Sequence, residues 1–198
     1  MNNRVNIVGL GHINIVVENI DEGIKFYEEL LGAVPYQIFR NFSNAGFSKA
    51  AGFLENPENI NLHIAFLNIP ESGLTLELMQ YINPVSHNKV LHNPVFDIAG
   101  VRHVALEVDG IEKAFDHVVS VSGVRLINNN TAYKPYKPYK IDDIQQKDFS
   151  FFDKELEVNE VEKSRVVKII SNTKYFYFID KNGVQWEFEE GHTDIGKK

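Results

Sequence analysis

The feature that most constrains the fold of this chain is an internal repeat with an offset of 91 residues. His12 and Gly32 lie 20 residues apart in the first copy, and His103 and Gly123 lie 20 residues apart in the second. The shared spacing carries more weight than the few shared identities. A chain that contains the same supersecondary unit twice is predicted to fold as two similar modules.

Each copy begins with a strand pattern followed by a helix pattern. In the first copy, Ile13, Ile15 and Val17 alternate along the chain with a second set of side chains, which is typical of a half-buried strand. Asp21 is predicted to cap the helix that follows. Gly32 is predicted to end that helix in a left-handed conformation. The second copy repeats the same order of patterns.

Strand patterns follow each helix. In the first half, residues 33–40 are predicted to form a strand, and residues 62–69 and 74–81 a hairpin. In the second half, residues 173–179 and 184–190 are predicted to form another hairpin. Each half therefore reads as one strand, one helix and three further strands, which predicts an α+β protein.

These patterns set the predicted module boundaries. The first module covers residues 5–81, a linker covers 82–100, and the second module covers 101–191. The histidine-to-glutamate spacing discussed below is 65 residues in the first module and 84 in the second, a surplus of 19. We assign that surplus to a polar insertion at about 129–165. Its Tyr-Lys-Pro rhythm at 132–140 favours an extended segment, which is a lid over an anionic substrate, a solvated loop or an oligomer contact.

Composition excludes several classes of function. The formal net charge is −7, so no cationic field exists to attract nucleic acid or anionic lipid. The chain has no cysteine, which excludes disulfides and thiol chemistry. No segment approaches the ~20 apolar residues that span a bilayer. We therefore expect a cytoplasmic protein that binds neither nucleic acid nor membranes.

Four ionisable residues recur in register across the repeat. His12 and His103 stand near the start of each first strand, and Glu77 and Glu187 lie in each last strand. Alone, a strand histidine is usually a surface or hydrogen-bonded residue, and a strand glutamate usually faces solvent. Recurrence of both pairs favours a shared site for one divalent metal ion, with nickel, cobalt, zinc, iron or manganese as the candidates.

The same segments resemble a known superfamily. Residues 11–32 resemble the opening of vicinal oxygen chelate proteins, the superfamily of glyoxalases, bleomycin resistance proteins and extradiol dioxygenases. Residues 74–78 resemble the last strand of its first module. The spacing of Asp180, Gly183 and Glu187 resembles its Asp-Pro-x-Gly-Asn-x-x-Glu ending. The resemblance implies paired βαβββ modules that form an open, eight-stranded, barrel-like sheet.

The final turn departs from the family pattern. Lys181 stands where the family has proline, and Val184 stands where it has asparagine. Glu187 keeps its place. The turn is therefore non-standard, and we expect Glu187, in the strand that follows the turn, to remain a metal ligand.

The resemblance also implies chemistry. With all four ligand positions filled, it points to glyoxalase I or methylmalonyl-CoA epimerase, which abstract a proton next to a carbonyl through a metal-stabilised enediolate. It implies Glu187 as both ligand and base, His63 as a possible second base, and a small substrate such as a thiol or CoA conjugate. It also implies a barrel closed within one chain or across a homodimer. An extradiol dioxygenase and a non-catalytic resistance protein that binds a drug or metabolite are the alternatives.

Overall fold

The computed structural model describes residues 9–86, 100–127 and 137–191. Contacts between backbone positions divide the chain into two compact units, Met1–Val90 and Leu91–Lys198. Each unit has its own sheet and at least one helix packed on it. The α+β class predicted from the sequence is confirmed. None of the helices within the described ranges is long and apolar enough to cross a membrane.

Two sequence predictions concern residues that the structure describes only in part. Most of the predicted linker at 82–100 lies outside the described residues, as does the first half of the Tyr-Lys-Pro segment. The last strand of the first unit continues through Asn83, two residues past the predicted end of the first module.

The first unit contains a four-stranded sheet, and its strand order is β1-β4-β3-β2. Strand β1 runs parallel to β4, and the other neighbours are antiparallel. The elements are β1 Ile13–Val16, α1 Ile20–Leu31, β2 Val34–Phe42, α2 Ala45–Ala50, a 3-10 helix at Pro57–Asn59, β3 Asn61–Ile69 and β4 Leu74–Asn83. The predicted β3–β4 hairpin matches these bounds closely.

Helix α1 is capped by a different residue from the one predicted. The side chain of Asn19 accepts hydrogen bonds from the backbone N–H groups of Asp21 and Glu22, each at 3.0 Å. Asp21 lies inside the first turn, where its own N–H needs a partner, so it cannot be the cap residue. Gly32 ends the helix with φ 61°, as predicted.

The main core of the first unit lies between α1 and one face of its sheet. The alternation predicted for β1 holds, because Ile15 and Val17 are buried while Val16 is exposed. Buried side chains of this core include Ile15, Val17, Ile20, Phe26, Tyr27, Leu30, Leu67, Leu76 and Leu78. The register pairs Asn14 with Glu77 on the opposite face of the sheet.

The second unit repeats the topology of the first. Its strand order is β5-β9-β8-β6, and β5 is parallel to β9 as β1 is to β4. Its elements are β5 Val104–Glu107, α3 Ile111–Ser120, β6 Arg125–Leu126, β7 Tyr139–Lys140, a 3-10 helix at Gln146–Asp148, α4 Lys154–Glu157, α5 Glu160–Ile170, β8 Lys174–Ile179 and β9 Gln185–Glu190. The sequence repeat is therefore a repeat of strand order and strand direction.

The edge strand of the second sheet is divided into two short pieces. Strand β6 pairs with the end of β8 through Arg125 and Ile179, and β7 pairs with its start through Tyr139 and Tyr175. In the first unit the equivalent strand β2 is nine residues long. Relative to the first unit, the second unit therefore has additional residues in two places, between β6 and β7 and between β7 and β8.

The described part of the insertion has packed structure of its own. Its mixed-charge segment is mostly exposed, but Lys163 is only 9% exposed. The Lys163 ammonium donates to Glu157 at 2.7 Å and lies 5.8 Å from the centre of the Phe149 ring. The ion pair with Glu157 and the contact with the Phe149 ring offset the free-energy cost of burying the Lys163 ammonium.

Candidate functional site

In the first unit, the structure brings together His12 and Glu77. Nε2 of His12 lies 3.1 Å from Oε2 of Glu77, and the side chains are 46% and 10% exposed, respectively. His12 directly precedes β1, and Glu77 lies in the middle of β4. A carboxylate so deeply buried is costly unless it is paired with a donor or bound to a metal.

In the second unit, the structure brings together His103 and Glu187 in the same way. Nε2 of His103 lies 2.9 Å from Oε2 of Glu187, and the side chains are 38% and 12% exposed. His103 directly precedes β5, and Glu187 lies in β9. Both units therefore combine a half-exposed imidazole with a nearly buried carboxylate.

Strand register explains why the two pairs are alike. The residue two positions after each histidine is paired with the glutamate, Asn14 with Glu77 and Ala105 with Glu187. Side chains two residues apart on a strand share a face, so each histidine lies on the face of its glutamate. We call each of these pairs a half-site.

An aromatic ring lies beside each half-site. Phe66 is paired with Glu77 on β3, and its ring centre is 6.3 Å from that of His12. Tyr177 is paired with Glu187 on β8, and its ring centre is 5.2 Å from that of His103. Both imidazoles meet their aromatic neighbours edge to face, which restricts how each ring can turn.

The first half-site contains a polar residue that sequence reasoning missed. The side-chain amide of Asn14 donates to Oε2 of Glu77 at 3.1 Å and to the backbone carbonyl of Glu77 at 3.2 Å. Ala105 occupies the equivalent position in the second unit. The available signal was a polar residue two positions after the histidine, on the same face of the predicted strand.

A second hydrophobic cluster continues along the half-site face of the first sheet. It consists of Ile60, Leu62, Ile64 and Met79, with Phe42, Phe47, Phe53, Phe66 and Tyr81 packed against them. Burial raises the pKa of the Tyr81 phenol above its ordinary value, and the negative charge of Glu77 raises it further. Tyr81 is therefore a protonated phenol at neutral pH, on the same face as Glu77.

Sequence reasoning also missed two residues whose side chains accept hydrogen bonds at the starts of helices α1 and α3. The side chain of Gln80 accepts a hydrogen bond from the backbone N–H of Ile20 at 2.8 Å. The carboxylate of Glu190 accepts from Gly110 at 2.7 Å and from Ile111 at 3.3 Å. Each lies three residues after its half-site glutamate, so its side chain lies on the helix-covered face.

His63 lies away from the first half-site. It is paired with Gln80, whereas Glu77 is paired with Phe66, so His63 lies on the opposite face of the sheet from Glu77. Its Nδ1 accepts a hydrogen bond from the backbone N–H of Asn41 at 2.9 Å. This position gives no support to the prediction of His63 as a second base.

The four predicted ligands thus sort into two pairs, one in each unit. Within the described ranges, no group of three or more His, Cys, Asp or Glu side chains is placed to hold a metal ion. The donor types nevertheless suit one, because imidazole nitrogen and carboxylate oxygen are ligands of divalent transition metals. Neighbouring ligand atoms at 2.0–2.2 Å from one ion lie ~3 Å apart at right angles. Both half-sites have that separation.

Several solved structures are similar to this chain. A glyoxalase family protein from Bacillus cereus matches with 16% identity over 96% of this chain and 97% of that one, with a TM-score of 0.62. The fosfomycin resistance protein FosX from Listeria monocytogenes matches with 14% identity over 92% and 91%, TM-score 0.47. A V278E variant of glyoxalase I from Zea mays matches with 16% identity over 91% and 45%, TM-score 0.47. At 16% identity, the likeness to the Bacillus cereus protein concerns the fold alone.

A family model gives the assignment. Among curated proteins, none matches this chain. Residues 11–134 match the model described as Glyoxalase/Bleomycin resistance protein/Dioxygenase superfamily. This segment contains the opening of both sequence copies and three of the four half-site residues. Because the match covers more than half of the chain, the protein belongs to the glyoxalase/bleomycin resistance protein/dioxygenase superfamily, as its sequence predicted.

Proposed function

We propose that this protein is a metal-dependent lyase or isomerase that removes a proton next to a carbonyl group. One divalent ion is held by four residues, two from each half-site: His12, Glu77, His103 and Glu187. The observation that supports this proposal is the equal geometry of the two histidine–glutamate pairs in both repeats. Family membership also supports the proposal, because the superfamily includes glyoxalases.

Each half-site alone is a poor metal site. Two protein ligands leave most coordination positions to water, whereas catalytic sites commonly use three or four protein ligands and keep positions open for substrate. Two half-sites on one ion supply two imidazoles and two carboxylates, which suits nickel, cobalt, zinc, iron or manganese. Because the strand register is the same in both repeats, we propose that the two half-sites bind the same ion.

The bound ion would polarise oxygen atoms of the substrate and so acidify the adjacent C–H bond. Glu187 then takes the proton on a carboxylate oxygen and returns it to the substrate at the end of the reaction. Its low exposure keeps bulk water from competing for that proton. His103 orients the carboxylate through the 2.9 Å contact before the ion is bound.

The proposed substrate class comes from the resemblance to glyoxalase I and the epimerase. A thiol or CoA conjugate with a carbonyl beside an acidic C–H bond fits proton abstraction by Glu187. We also propose that the protein assembles as a homodimer. Neither proposal depends on the half-site geometry, so each needs its own measurement.

Metal stoichiometry tests the proposal. Protein purified without added metal is reconstituted separately with Ni²⁺, Co²⁺, Zn²⁺, Mn²⁺ and, without oxygen, Fe²⁺, then desalted and analysed for metal content. We expect one ion per chain. His12→Ala and His103→Ala each remove one of four ligands, one from each unit, so both should weaken binding at least tenfold. His63→Ala is the matched control, because His63 lies on the opposite sheet face, and it should bind metal like wild type.

Four results would contradict the proposal. Wild type that holds no stoichiometric metal would remove its basis. Two ions per chain, with His12→Ala losing only one, would show separate sites in the two units. Iron combined with oxygen uptake on catechols would instead identify an extradiol dioxygenase. Tight binding of a drug or metabolite that does not depend on metal would identify a resistance-type binding protein.

A further inference from the structure

We propose that the substrate carries an aromatic group next to its metal-chelating oxygens, and that the rings of Tyr36, Phe39 and Phe66 bind this group. We call these three side chains the aromatic subsite. The inference rests on the proposed function, because the subsite lies beside the metal half-site of the first unit. It goes beyond that function by naming the chemistry of a substrate group that takes no part in the reaction.

The aromatic subsite begins at the first half-site. Phe66 is paired with Glu77 across β3 and β4, and its ring centre lies 6.3 Å from that of His12. The ring centres of Tyr36 and Phe39 lie 6.1 Å and 6.5 Å, respectively, from that of Phe66. The rings therefore extend from the proposed metal ligands toward β2, the edge strand of the first sheet.

A β-bulge in β2 brings Tyr36 into this group of rings. Pro35 is paired with Leu67, and Gln37 is paired with Phe66. Tyr36 is therefore the extra residue between two successive pairs. A bulge changes the direction of such a side chain, and bulges are frequent next to active sites. Here the bulge sets the Tyr36 ring against Phe66, on the sheet face that carries the half-site.

Two of these rings lie largely outside the core. Tyr36 is 56% exposed and Phe39 is 38% exposed, whereas core side chains of the same sheet, such as Leu76, are fully buried. Single exposed apolar side chains are ordinary, but adjoining exposed rings beside candidate metal ligands indicate a binding surface. Aromatic rings pack well against other aromatic rings, either offset-stacked or edge to face. The subsite therefore favours an aromatic group over an alkyl chain.

The test uses the full-length protein loaded with Co²⁺ and three hydroxamic acids. Acetohydroxamate, hexanohydroxamate and phenylacetohydroxamate chelate a metal ion through the same two oxygen atoms and differ in the group attached to them. Their dissociation constants are measured by isothermal titration calorimetry. We expect wild type to bind phenylacetohydroxamate about 10- to 100-fold more tightly than acetohydroxamate, and more tightly than hexanohydroxamate.

Four variants locate this preference. Tyr36→Ser and Phe39→Ser each remove an exposed ring, so each should reduce the preference for phenylacetohydroxamate over acetohydroxamate about 3- to 10-fold. Tyr36→Phe keeps the ring and should keep the preference. Ile38→Ser is the matched control, because Ile38 is 40% exposed on the same strand and is paired with Ala65, on the opposite sheet face from Phe66. Its preference should equal that of wild type.

The contrary outcomes separate this inference from the proposed function. If wild type holds no Co²⁺, or if the loaded protein binds none of the three compounds, both fail. If acetohydroxamate binds and phenylacetohydroxamate binds no more tightly, the proposed function stands and this inference is overturned. Equal affinity for hexanohydroxamate and phenylacetohydroxamate also overturns it. So does a wild-type preference in Tyr36→Ser and Phe39→Ser, or a lost preference in Tyr36→Phe or Ile38→Ser.

Discussion

At the scale of single residues, one buried carboxylate holds the turn before the last strand. Asp180 is 4% exposed, and Oδ1 accepts hydrogen bonds from the backbone N–H groups of Asn182 at 2.9 Å and Val184 at 3.0 Å. Its Oδ2 accepts from the indole N–H of Trp186 at 2.9 Å. The donors are mostly backbone groups, which explains why Lys181 and Val184 can replace the proline and asparagine of the family pattern.

Replacing Asp180 tests this account. Asp180→Ala leaves two backbone donors and a buried indole N–H without their acceptor, so we expect a loss of about 2–4 kcal/mol in the free energy of unfolding. Asp180→Asn keeps one acceptor oxygen and should fall between this variant and wild type. Urea unfolding followed by fluorescence measures the effect locally, because Trp186 is the only tryptophan in the chain. A loss below about 0.5 kcal/mol for Asp180→Ala would contradict it.

The histidines and glutamates of the half-sites could be identified from the sequence. The residues that contact them, such as Asn14, could not. His12 and Glu77 stand out because ionisable groups recur at equal positions in both repeats. Asn14 has meaning only once β1 and β4 are known to pair in parallel with Asn14 opposite Glu77. The sheet face on which His63 lies is likewise known only from the register of β3 with β4.

At the scale of elements, a side chain from the last strand of each unit accepts hydrogen bonds at the start of helix α1 or α3. Helix α1 has two caps, Asn19 from its own segment and Gln80 from β4. Helix α3 begins after Gly110, which has φ 80° and supplies no side-chain cap. Glu190 from β9 is therefore the side chain that satisfies the first donors of α3.

This difference predicts unequal effects of equivalent substitutions. Glu190→Ala removes the side-chain acceptor at the start of α3, so we expect it to cost about 1–2 kcal/mol of unfolding free energy. Glu190→Gln reproduces the Gln80 arrangement of the first unit and should retain most of the stability. Gln80→Ala should cost less than Glu190→Ala, because Asn19 still caps α1. Chemical denaturation of the three variants checks the order, and equal losses for Glu190→Ala and Glu190→Gln would refute it.

Element boundaries differ in how far the sequence specifies them. The hairpins were predicted within a few residues because turn residues separate two regular strand patterns, as at 180–183. The division of one edge strand into β6 and β7 was not predicted. Two-residue strands have no measurable period, and both exist only because β8 offers an edge with which to pair.

At the scale of the whole molecule, the duplication gives two units that each have their own buried core. Buried residues lie in both units, with Tyr27 and Leu78 in the first unit and Phe176 and Trp186 in the second. Each unit can therefore contribute its own step to thermal unfolding. If the proposed metal ion takes two ligands from each unit, it links these steps, because unfolding of either unit would release the ion.

Calorimetry with and without metal tests this linkage. A ligand that binds only the folded state stabilises it by about 2.7 kcal/mol at a free concentration 100 times its dissociation constant. An ion shared by both half-sites must raise the unfolding temperature of both units, whether they melt separately or together. His12→Ala and His103→Ala, altered in different units, should each reduce the shift of both units. A shift confined to one unit, or one lost in only one of these variants, would mean that the metal ligands come from a single unit.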